Sequence, residues 1–125
     1  MLIVFSVNES IFAQESKTPL QLGVPVESQI VDRKTPKQFT VQLLANQTAK
    51  VEVEQTGMDV SLTSFDSDGK KMLEWGLSLG RFGSESLLIL AKKSGEYRID
   101  VEPGNRHARL GKFVVKLTEL RDTTE

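Results

Sequence analysis

A chain of 125 residues, 38% apolar and 26% charged, is long enough to bury one hydrophobic core and too apolar for a disordered segment. Sixteen basic residues stand against 17 acidic ones, a net charge of −1, with both signs interspersed along the chain. Nothing in that balance concentrates phosphate, so nucleic acid is not an expected partner. The absence of cysteine removes disulfides, thiolate zinc sites and cysteine nucleophiles together, without arguing against export.

In chain order, Met1-Leu-Ile-Val-Phe-Ser-Val7 is apolar for only seven residues, too few to span a bilayer. Followed by a small residue at Ala13, it resembles the end of a secretory signal, and residues 1–13 are read as a signal-peptide remnant of an exported protein, periplasmic or extracellular. The basic leader of such a signal is missing, and Glu9 fits it badly. Residues 14–23 are polar, carry Pro19 and Gly23, and read as a linker to a domain over 24–121, with a polar tail at 122–125.

Within the domain, Val24, Val26, Ser28 and Ile30 share one parity, and Pro25 confines their strand to an edge or its first residues. Phe39, Val41 and Leu43 alternate with polar residues, as do Val51 and Val53, the period of a half-buried antiparallel strand. Gln55 to Gly69 then holds a hairpin arm. Val60, Leu62 and Ser64 face a core, Phe65 breaks the parity and predicts a bulge or a departure from the sheet, and Ser67-Asp68-Gly69 turns the chain. Leu73 to Leu79 alternates again. Ser86-Leu-Leu-Ile-Leu-Ala91 is apolar at both parities, which predicts a central strand covered on both sides. Tyr97, Ile99 and Val101, then Phe113, Val115 and Leu117, repeat a frame in which glycine turns the chain and an aromatic opens the buried face. About eight short strands and no convincing amphipathic helix predict an all-β fold, an antiparallel two-sheet sandwich of jelly-roll type.

The landmarks Gln55-x-Gly57-x-Asp59-Val60-x-Leu62, Asp66-x-Asp68-Gly69-Lys70, Gly83-x-Glu85-x-Leu87, Ser94-Gly95-x-Tyr97-x-Ile99 and Gly111-Lys112-Phe113 resemble, in order and spacing, the bacterial pre-peptidase C-terminal domain. The version most similar is the one at the N-terminus of proteins that continue into tetratricopeptide repeats and a caspase-like CHAT peptidase. The resemblance implies a jelly-roll accessory module without catalysis of its own, its partners being protein domains of the same longer chain. Collagenase members of the family bind collagen and calcium; their calcium ligands lie largely in an N-terminal linker, and here Gln14 to Gly23 offers only Glu15.

The residues suggest few alternatives. Asp59, Asp66, Asp68 and Glu85 are the candidate calcium ligands, calcium needing six or more oxygens; against this, Asp66 to Gly69 also reads as a self-capped turn. No other cofactor is expected. His107 is the only histidine, so one side chain alone could serve as the base of a serine triad, and a small hydrolase is the weakest reading. Trp75, Arg81 and Phe82, around a glycine-flanked loop, are the candidate interaction residues. A glycan-, calcium- or matrix-protein-binding module is the alternative to an accessory that docks or spaces its neighbours.

Overall fold

The computed structural model describes residues 17–56, 59–75, 82–104 and 110–122, with the main chain alone for residues 73–75, 82 and 83. The signal-like residues 1–13, Arg81 and His107 lie outside the described residues. Among the described residues nine strands follow in order: β1 Lys17–Pro19, β2 Val26–Gln29, β3 Lys37–Leu43, β4 Gln47–Thr56, β5 Val60–Phe65, β6 Lys71–Trp75, β7 Phe82–Leu90, β8 Gly95–Pro103 and β9 Lys112–Asp122. They form two sheets, ordered β1-β3-β8-β5-β6 and β2-β9-β4-β7. Every pairing is antiparallel except β1 with β3. The chain is an all-β sandwich, as its alternation predicts.

The alternating residues meet between the sheets. Phe39 and Val41 of β3, Tyr97, Ile99 and Val101 of β8 and Val60 and Leu62 of β5 face Ala49, Val51 and Val53 of β4, Leu87 and Ile89 of β7 and Phe113, Val115 and Leu117 of β9, all buried. Phe39 and Phe113 meet edge to face across the gap, ring centroids 6.0 Å apart and planes at 82°. The outer face of the first sheet is closed by polar contacts. Arg98 donates from Nε to Asp100 at 2.9 Å, Gln38 donates to the same carboxylate oxygen at 3.3 Å, and the Arg98 guanidinium lies 3.9 Å from the Phe65 ring centroid.

Two irregularities adjust which side chains face inward. Between β5 and β6 the register shifts at Ser64/Phe65: Ser64 opposes Leu73 and Phe65 opposes Lys71, so Met72 is the extra residue of a bulge. The bulge expected at Phe65 thus lies across from it, on β6, while Phe65 keeps the alternation of β5 and sits on the outer face over Arg98. A second shift sets Lys50 against Glu119 and Val51 against Leu117, and the intervening Thr118 donates its hydroxyl to the Lys50 carbonyl at 3.2 Å. That extra residue returns Leu120 to the core side, opposite Ala49.

The turns at one end of the sandwich are closely fitted. Gly69 has φ 84° in the β5–β6 turn, the left-handed conformation expected of an Asp-Gly pair. At Gly95 the constraint is space, since a Cβ built there falls 2.6 Å from Cβ of Ser67 in the same turn. Tyr97, buried below, donates its hydroxyl to the Lys93 carbonyl at 2.7 Å and holds the β7–β8 turn against the sandwich.

Two expectations are corrected. The stretch 14–23 read as a linker contributes β1 and the core residue Leu20, and Leu22 bridges to Leu117. Its three strand residues are all exposed, so the pairing is made by main chain and leaves no alternation to read. β7, expected to be central, is the end strand of its sheet, and Leu88 and Leu90 on its outer face are 55% and 57% exposed.

Candidate functional site

β4 of one sheet ends at Thr56 and β5 of the other begins at Val60. β4 places Val51, Val53 and Gln55 on its inner face, so the last of the row is a polar side chain in an apolar position, and Gln55 is buried. Its Oε1 accepts the Val60 N–H at 2.8 Å, which ties the end of β4 to the start of β5. β7 repeats the substitution from the other side. Glu85 shares its face with Leu87 and Ile89 and opposes Val53, one step along the ladder from Gln55, and is only 3% exposed.

Three side chains at this end carry buried polar atoms without a hydrogen-bond partner among the described residues: both carboxylate oxygens of Glu85, Oδ1 of Asp59 and Nε2 of Gln55. Buried polar groups are nearly always paired, so their protonation state decides the cost. Burial disfavours the Glu85 anion and the neighbouring Asp59 charge adds to the effect, pushing the Glu85 carboxyl up to about 7. Near neutrality, then, a large fraction of Glu85 is the neutral acid, which burial tolerates better than the anion.

The other two candidate ligands are elsewhere. Asp66 Oδ1 accepts the backbone N–H groups of Asp68 and Lys70, each at 2.9 Å, and the Asp66 carbonyl accepts the Gly69 N–H. The Lys70 N–H is the main reason its carboxyl lies below the usual range. Asp68 instead pairs with Lys93, Nζ to Oδ2 2.6 Å, on the exposed surface. The six residues of β5 separate this turn from Asp59, roughly 20 Å of strand. No three acidic or histidine side chains converge among the described residues. The expected quartet is thus a buried Glu85 near a half-buried Asp59, and a self-capped turn.

Of the candidate interaction residues, Trp75 ends β6 at the register position opposite Leu62, and Phe82 begins β7 opposite Thr56. Their side chains and Arg81 lie outside the described residues. Leu88 and Leu90, which the sequence places in a core, are surface residues instead. Gln55 went unread; the signal was a polar residue completing the parity of Val51 and Val53.

No family model and no curated protein matches the chain. Its likenesses are structural. The pre-peptidase C-terminal domain of a Bacillus anthracis collagenase superposes with a TM-score of 0.59 at 11% identity, covering 86% of this chain and 96% of that one. This chain has the fold of that domain. A surface-associated copper-binding protein of Methylomicrobium album BG8 gives a TM-score of 0.63 at 8% identity over 86% of this chain and 98% of its own. A periplasmic inhibitor of g-type lysozyme from Aeromonas hydrophila gives 0.52 at 12% identity, over 85% and 95%. The pre-peptidase fold is therefore shared with small proteins that bind or inhibit, and identities this low speak for architecture alone.

Proposed function

We propose that the chain is a non-catalytic accessory module of an exported bacterial protein, docking or spacing neighbouring domains, as in the pre-peptidase modules that precede tetratricopeptide repeats and a CHAT peptidase. The observation that carries this reading is where the chemistry sits. The acid pushed up towards neutrality, Glu85, is buried inside the sandwich, away from a substrate, while the apolar side chains Leu88 and Leu90 are outside. Export is supported by the signal-like start and by the surface-associated or periplasmic setting of the two other structural neighbours. Among the described residues no helix is long and apolar enough to cross a membrane. The end of the sandwich formed by the finish of β6 and the start of β7, with Trp75, Arg81 and Phe82, is the proposed docking end.

The reading is checked by assay. Incubated with ester, peptide and glycoside substrates, the purified domain should give no turnover above buffer. Turnover that disappears in His107→Ala would replace it with a hydrolase. Calcium binding is a second reading, favoured by the unpartnered oxygens of Asp59 and Glu85. Two carboxylates, one of them raised to about 7, fit calcium poorly, because the ion takes six to eight oxygens and prefers ionised ligands.

A further inference from the structure

A β-sandwich of this kind has four sheet edges, each a row of main-chain donors and acceptors that can pair with another chain. Here the edges are β1 and β6 of one sheet and β2 and β7 of the other. Three are guarded in the usual ways. β1 has three residues, with Lys17 and Pro19 among them; β2 has four, follows Pro25 and exposes Glu27; β6 has five, carries Lys71 and Glu74 and is broken by the bulge at Met72.

β7 is unlike them. Its nine residues pair with β4 without a register break, from Phe82 opposite Thr56 to Leu90 opposite Thr48. It has no proline and no lysine, its one charge, Glu85, points inward, and its exposed residues are Ser84, Ser86, Leu88 and Leu90. Its far edge pairs with nothing among the described residues.

The geometry points to a second copy of this chain as the occupant of that edge, β7 pairing antiparallel with β7 of its partner about a two-fold axis to make a continuous eight-stranded sheet. The pairing needs an open strand of matching length with a neutral outer face, and this chain supplies one. In an antiparallel two-fold register, serines and leucines of the outer face stand beside serines and leucines, so no like charges oppose each other on that face and the exposed leucines gain cross-strand neighbours. A net charge of −1 adds little repulsion between copies. This goes beyond the accessory-module reading and stands or falls separately.

Sedimentation equilibrium over a hundredfold range of concentration tests it. The wild-type mass should rise from 13.9 kDa towards twice that value, while Ser86→Lys and Leu88→Lys, each at an exposed position, should stay monomeric with unchanged far-UV circular dichroism and melting temperature. A wild-type monomer at the highest concentration would overturn the proposal and leave the edge to another chain. So would a dimer that persists in both folded variants.

Discussion

Replacing Phe113 with alanine should destabilise the domain by about 3–5 kcal/mol, a large part of the roughly 5–15 kcal/mol that holds such a domain folded. Phe113 lies on β9 between Ser28 of β2 and Gln55 of β4, is 1% exposed, and projects across the sandwich to meet Phe39 of the opposite sheet edge to face. Truncation removes its buried surface, opens a cavity between two sheets that cannot close independently, and forfeits an aromatic pair of about 0.5–1.5 kcal/mol. Urea unfolding would show the midpoint falling with the slope unchanged. Phe113→Leu, which keeps most of the volume, should lose far less. A loss below about 1 kcal/mol for the alanine variant would mean that the sheets do not meet at this residue.

The second large effect depends on pH. Glu85 titrates near 7 in the fold against an ordinary value of 4.5. Between those values the folded chain binds more protons than the unfolded one, so stability falls as pH rises. The contribution is fully present below about 4.5 and gone above about 7. At 1.36 kcal/mol per unit the loss is at most on the order of 3 kcal/mol, and solvent near the strand end makes it smaller. Glu85→Gln keeps the shape and removes the charge, so it should melt above the wild type at pH 8, match it at pH 5 and lack this part of the pH dependence. Equal pH profiles for the two proteins would contradict the buried-acid account. Calcium added at pH 8 should leave both melting temperatures unchanged; a rise in the wild type that is absent from Glu85→Gln would assign the Asp59–Glu85 pair to calcium.

The strands whose faces differ in polarity were legible in the sequence. β3, β4, β8 and β9 alternate because one side meets the core and the other water, whereas Phe65, read as a parity break, keeps the alternation on the outer face and the bulge is opposite it, at Met72. The Asp66 turn was legible too, since Asp and Gly each have a local reason to stand there. β1 was not, because main-chain pairing to β3 imposes no side-chain pattern. β7 misled for a related reason: alternation reports which face is apolar, whereas being at an edge depends on strands distant in sequence. An outer face carrying Leu88 and Leu90 looks the same whether it is covered or bare. The Asp59–Glu85 pair was half legible. The sequence offered both residues as ligands; only the fold, by bringing β7 alongside β4 and Gln55 across to Val60, makes Glu85 a buried acid and sends Asp66 and Asp68 to the far end of β5.

The central claim, a module that serves a larger exported protein, is most directly tested by the intact mass of the native protein in fractionated cells. The account predicts a mass well above 13.9 kDa, in the periplasmic or extracellular fraction, with this domain as one part of it. A free chain of 13.9 kDa confined to the cytoplasm would contradict it.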